Sequence, residues 1–217
     1  MRPNNVLRSV RELGQFRVKT ADGHWCGRVK DVYFDDFTWK AIHLVLSIEP
    51  SVFGRNEVLV APAEVAEVCD ESGEIRLTIS AEGLEQLPLA SSVSPVCKQY
   101  EAFAYTSPGA RKYATRMEAD PHLRSAKAVV RYQVDAGGEF AGTVADFLYE
   151  TEDWQFRYLG IEQKFERKTM RFYVLPQAVE RIIWATQRIV LRELNPVAVD
   201  LGGNREVIPT ATSQAAA

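Results

Sequence analysis

Histidine is scarce in this chain, cysteine is odd in number, and no apolar run approaches the roughly 20 residues that a membrane-spanning helix needs. Each shortage narrows the function. Cys26, Cys69 and Cys97 include no Cys-x-x-Cys pair, so neither a disulfide framework nor a zinc site is indicated, and reduced thiols are expected. No glycine-rich loop leads into a Lys-Ser or Lys-Thr pair that would cradle a phosphate. The opening stretch, MRPNNVLRSVREL, lacks the apolar centre of a secretory leader, and a cytoplasmic protein is the expectation. A strong positive excess is missing too. The net charge is −3; residues 1–90 carry 10 Lys+Arg against 14 Asp+Glu, and the remainder 16 against 15. Neither half has the charge of a protein that holds nucleic acid mainly through phosphate contacts, so nucleic acid is not an expected partner. The one basic cluster, KFERKTMR at Lys164 to Arg171, reads as a solvated hairpin loop.

What is present is a duplication. Gly27 to Leu46, GRVKDVYFDDFTWKAIHLVL, recurs as Gly142 to Ile161, GTVADFLYETEDWQFRYLGI. At a spacing of 115 residues, Gly27, Val29, Asp31, Trp39 and Leu44 meet Gly142, Val144, Asp146, Trp154 and Leu159. Upstream, LRSV at Leu7 to Val10 meets LRSA at Leu123 to Ala126; downstream, Val60 and Pro62 meet Val174 and Pro176. The small changes of spacing fall in turns, as required when a one-residue slip inside a strand would send its side chains to the wrong face. A period this long marks domains, not solenoid units. The expected division is a first domain over 1–90, a linker over 91–120, a second domain over 121–194 and a mobile tail over 195–217.

Ser9 with Glu12 fits a capping box, so a short helical turn opens the first copy before Gly14. Strands follow at Phe16 to Lys19, Cys26 to Phe34, Trp39 to Ile48, Glu57 to Ala61, Val65 to Cys69 and Ile75 to Ile79. Ser80 is placed to cap a last turn of helix before Pro88. In the second strand the inward positions run Val29, Val32, Phe34, a step of three and then two, and the other copy repeats it at Val144, Phe147 and Tyr149. One extra residue, a β-bulge near Asp31 and Asp146, restores the inward face and bends the sheet as a small barrel requires. Asp31 and Asp146 are then expected to accept hydrogen bonds from the N–H groups that the bulge frees. Gly27 and Gly142 are expected where a second backbone comes close.

Candidate chemistry is thin, and no catalytic residue, cofactor or metal is assigned. His24 and His43 stand where the second copy has Glu139 and Tyr158, so neither imidazole is a shared requirement, and His122 reads as a surface residue. The acidic turns Asp35-Asp36 and Glu150, Glu152, Asp153 match no EF-hand spacing. Trp39 and Trp154 suit core packing better than a ligand platform.

G-x-V-x-D followed by an apolar pair, an acidic turn, Trp and an apolar strand resembles the PRC-barrel, a small β-barrel named after the photosynthetic reaction centre H subunit. A ribosome maturation factor carries it as its C-terminal domain. Gly27, Val29, Asp31, Phe34, Asp35 and Trp39 carry the match in the first copy, and Gly142, Val144, Asp146, Tyr149, Glu150 and Trp154 in the second. SPVCKQYE at Ser94 to Glu101 and DPHLRSAKAV at Asp120 to Val129 are similar to the linker of bacterial proteins with two such barrels in tandem. The resemblance implies a mainly β fold of two small barrels with short helical turns and an aromatic linker, acting as a non-enzymatic protein–protein adaptor or assembly module. An RNA-processing, ribosome-associated accessory protein is the alternative by the same analogy, and a small-ligand or metal-binding protein the third. The barrels are expected to pack on each other or in a homodimer, with Tyr100, Phe103, Tyr105 and Tyr113 of the linker burying rings in the seam.

Overall fold

The computed structural model describes residues 7–48, 57–69, 71–98, 120–165, 168–200 and 205–206. The linker aromatics Tyr100, Phe103, Tyr105 and Tyr113 lie outside these residues. The first half runs β1 (Leu7–Ser9), a one-turn helix (Val10–Leu13), β2 (Arg17–Lys19), β3 (Trp25–Asp35), β4 (Lys40–Ile48), β5 (Glu57–Val60), β6 (Val65–Cys69), β7 (Glu74–Leu77) and a helix at Ala81–Glu85. The second half repeats it as β8 (Leu123–Ser125), a one-turn helix (Ala126–Val129), β9 (Gln133–Ala136), β10 (Glu139–Glu150), β11 (Phe156–Phe165), β12 (Lys168–Val174), β13 (Val179–Ile183) and β14 (Arg188–Leu191). No helix among the described residues is long and apolar enough to cross a membrane.

The strands form two mixed sheets. One has the order β5-β4-β3-β2-β7-β6 and the other β12-β11-β10-β9-β14-β13. Within each, one pairing is parallel, β2 with β7 and β9 with β14. The outer strands of neither ladder are paired with each other among the described residues.

The sheets do not divide where the repeat does. β1 of the first half pairs with β10, setting Leu7, Arg8 and Ser9 opposite Glu150, Tyr149 and Leu148. β8 of the second half pairs with β3, setting Leu123, Arg124 and Ser125 opposite Asp35, Phe34 and Tyr33. Each half thus lends its opening strand, and the helical turn that follows, to the other half's sheet. Three residues form too short a strand to stand alone, so these pairings depend on the long strand that each one joins.

The long strands β3 and β10 are bent where the sequence pattern breaks step. Their pairing with β4 and β11 shifts register between Val29 and Asp31 and between Val144 and Asp146. The bulge keeps Val32 and Phe34, and likewise Phe147 and Tyr149, facing inward. Gly27 and Gly142 sit just upstream at φ 143° and 148°, a conformation that side chains rarely permit. A Cβ at Gly27 would stand 2.0 Å from the Ser47 carbonyl oxygen, and one at Gly142 2.7 Å from that of Glu162.

The inner faces of both sheets merge into one apolar core. Val18, Leu44, Leu46 and Ile75 from the first half belong to the same buried cluster as Val134, Leu159, Ile161 and Ile189 from the second. At its centre Phe34 lies 5.3 Å from Phe147 and 5.0 Å from Phe156, ring centre to ring centre. A small domain buries a modest share of its surface, and pooling two halves into one core offsets that shortfall.

The outer faces are covered locally. Ala90 and Val93 pack on Tyr33, Val45 and Leu59, while Val197 and Val199 pack on Leu148 and Tyr173. The expected mobile tail therefore begins with packed residues: the Val197 N–H donates to the Tyr173 carbonyl at 2.8 Å, and Val199 is buried. The reason is two-sided burial. Leu148 and Tyr173 point away from the shared core, and the returning segment joins Leu7 and Tyr158 in covering their apolar surface. Gly160 finds a reason in the same place, since the Tyr173 ring lies against the space that a side chain there would fill.

Gly27→Ala and Gly142→Ala are each expected to cost about 3 kcal/mol, from positive-φ strain together with a clash against backbone. Urea midpoints close to the parent's would overturn the close-approach account.

Candidate functional site

The seam between the halves gathers most of the residues that the sequence repeats. Ser9 and Ser125 end the exchanged strands, and each caps its own helical turn by accepting from the Glu12 and Ala128 N–H groups, at 3.2 and 3.0 Å. Their hydroxyls donate across the seam to Asp146 and Asp31. Asp31 Oδ2 accepts from Ser125 Oγ at 2.5 Å, and Oδ1 accepts from the Lys127 N–H at 3.0 Å and the Val32 N–H at 2.8 Å. Asp146 Oδ2 accepts from Ser9 Oγ, and Oδ1 from the Arg11 N–H at 3.1 Å and the Phe147 N–H at 2.8 Å. Each carboxylate therefore answers a bulge N–H, as the repeat suggests, and also the first turn of the other half's helix, which the repeat did not reveal. Burial pushes both carboxyls above their ordinary value, while the donated hydrogen bonds pull the other way.

Trp39 and Trp154 anchor the same seam from the acidic turns. Both take left-handed backbone, φ 59° and 57°, which costs a non-glycine residue about 1–3 kcal/mol and persists only where its surroundings demand it. The demand is visible. Each N–H bonds back into its own turn, to Asp35 and Glu150 carbonyls at 2.7 and 2.9 Å. Each carbonyl then accepts from the other half: Trp39 from the Phe156 N–H at 2.8 Å, and Trp154 from the Ala41 N–H at 3.0 Å. The indoles are buried, Trp39 against Phe34 at 5.6 Å and Trp154 against Tyr149 at 4.9 Å. Neither presents a free face on which a ligand could stack.

The remaining polar candidates are held by their neighbours. Asp35 accepts from the Phe37 and Thr38 N–H groups and the Thr38 hydroxyl. Asp36 takes Arg124 Nε at 2.5 Å and His122 Nδ1 at 2.8 Å, tying the first half's turn to the second half's exchanged strand, and this contact raises the His122 pKa. Glu150 and Asp153 share Arg157. His24 is exposed beside Asp22 at 3.2 Å, and His43 is half-buried on β4, where burial lowers its basicity. Among the described residues no three His, Cys, Asp or Glu side chains converge as a metal would require.

One cavity of about 860 Å³ opens on this seam. It lies where β2 has ended and β8 has not begun along β3, and at the matching place along β10. Val10, Val29, Ala126 and Val144 give it apolar walls, and both bulges border it. Arg11, Lys127, Arg131 and Lys164 stand around it with exposed side chains. Of these, sequence reasoning singled out only Lys164, and only as part of a solvated loop. The others lie in a helical turn and a connection whose charge looks ordinary until the exchange brings them together.

No protein-family model matches the chain, and no curated protein is similar to it.

Cutting the chain at Gly109 is expected to leave residues 1–109 and 110–217 bound to each other, because each piece supplies a strand to the other's sheet. Fragments that elute separately by size exclusion would overturn the exchanged arrangement. Asp31→Ala and Asp146→Ala each remove the acceptor of three donors and are expected to destabilise by about 1–3 kcal/mol. The carboxyls also predict a pH effect with a definite sign. Their folded pKa values lie above the ordinary 3.8, so between the two values the folded chain binds more protons than the unfolded chain. Their contribution to stability is greatest below that window and falls as pH rises through it. Relative to Asp31→Asn/Asp146→Asn, the parent should gain stability as pH is lowered; a difference that grows with rising pH in urea titrations would contradict it.

Proposed function

We propose that this chain is a cytoplasmic, non-enzymatic protein–protein adaptor whose two halves are PRC-like barrels fused into one rigid unit. The observation that carries the reading is the use made of the repeated residues. Gly27 and Gly142 allow close backbone approach, Asp31 and Asp146 fasten exchanged helical turns, and Trp39 and Trp154 link the halves through their carbonyls. What the pair repeats serves assembly of a single platform, and what it leaves at the surface is suited to contact. Phe37 is 81% exposed at the tip of the first acidic turn and Phe140 56% exposed on β10. The strand order with a bulged central strand and an acidic turn supports the likeness to the PRC-barrel, whose members dock onto larger assemblies.

A ribosome-associated role is the second reading, favoured by the five cations that line the seam cavity, Arg11, Lys30, Lys127, Arg131 and Lys164. The two separate by experiment. Affinity capture of the tagged chain from its source, followed by rebuilding the complex from purified proteins, is expected to give a defined protein complex that survives nuclease. Recovery of ribosomal particles alone, lost on nuclease treatment, would replace the adaptor by the second reading.

A further inference from the structure

The seam cavity carries the proposal, because it gathers exposed cations over apolar walls. Lys30 pairs with Glu57, Arg76 with Glu67, Arg124 with Asp36, Arg157 with Glu150 and Asp153, and Arg188 with Asp135. Arg11, Arg131 and Lys164 make no salt bridge among the described residues, Lys127 only feels the charge of Asp31 without bridging it, and all four border one cavity. The carboxylates beside them are occupied: Asp31 and Asp146 by seam hydrogen bonds, Glu162 by Arg171. In a chain of net charge −3 this is a local positive field, set over apolar walls.

We propose that this cleft binds an extended peptide segment of a partner protein in which acidic residues alternate with apolar ones. The proposal rests on the adaptor reading and gives the partner's chemistry. A cavity of about 860 Å³ is large for a single anion. The cations come from three separate places, the helical turns, the connection after Val130 and the end of β11, so one phosphate could not reach them all. Apolar walls flanked by cations fit alternating side chains, the apolar ones buried and the acidic ones meeting Arg11, Lys127, Arg131 and Lys164.

Arg11 and Lys127 occupy corresponding places in the two copies, whereas Arg131 stands where the first copy has Gln15, so the cations of the cleft are not all repeated.

The test uses the full chain and a fluorescein-labelled peptide alternating glutamate with leucine, read by polarisation. Binding is expected to weaken about tenfold or more in Arg131→Gln/Lys164→Gln, with unchanged melting, because all four side chains are exposed and bear no structural load. It should weaken again as salt is raised. An all-glutamate peptide should bind at least about tenfold less well, since it leaves the apolar walls unfilled. Undiminished binding in the variant overturns the proposal, as does equal competition by all-glutamate peptide or by single-stranded RNA. A captured protein partner that binds the variant as tightly as the parent leaves the adaptor standing and removes the cleft from it. Peptide binding that depends on Arg131 and Lys164, in a chain that yields no protein partner, supports the cleft and removes the adaptor.

Discussion

Two seam carboxylates, Asp146 buried and Asp31 half-buried, hold this molecule in one piece. Asp31 and Asp146 each stand on a bulge of one sheet and accept from the opening helical turn of the other half. A bulge frees a backbone N–H and a helix start frees several, and each needs an acceptor. One carboxylate answers both. Without it a hydroxyl and two amides would lose their shared acceptor, which is why the carboxyl stays on the seam although burial disfavours its charge.

The apolar side of the seam follows from the same geometry. With the exchanged strands in place, β3 and β10 bring Phe34 and Phe147 together as a tilted pair, and Trp39 and Phe156 pack against them. Such ring pairs contribute roughly 0.5–1.5 kcal/mol each beyond the area they bury. The left-handed backbone at Trp39 and Trp154 is offset by this burial and by the hydrogen bonds their carbonyls accept across the seam. Polar and apolar contacts thus impose the same relative placement of the halves.

Much of this was legible in the residues, because the signals were local and repeated. The three-then-two step from Val29 through Val32 to Phe34 located the bulge, since a strand's inward face cannot change without an extra residue. Ser9 with Glu12, and Ser80 before Pro88, located short helices through capping chemistry that spans a few residues. The exchange was not legible. LRS and Asp recur together, but a repeat cannot say whether Ser9 meets its own copy's Asp31 or the other's Asp146; both are compatible with identical local sequence. The cationic cleft was hidden for the same reason, since Arg11 comes beside Lys164 only after the exchange. The packing of Val197 and Val199 was missed because a segment with irregular spacing gives no periodic sign of the surface that it covers.

The covalent link between the halves has a consequence for symmetry itself. Were the same exchange made by two identical chains, every residue near the axis would appear twice, and a groove there would read the same from either end. Here each position is encoded separately, so Arg131 can stand where the first copy has Gln15 while the serine–aspartate fastening stays equal on both sides. Joining the copies converts a palindromic surface into one with a left and a right.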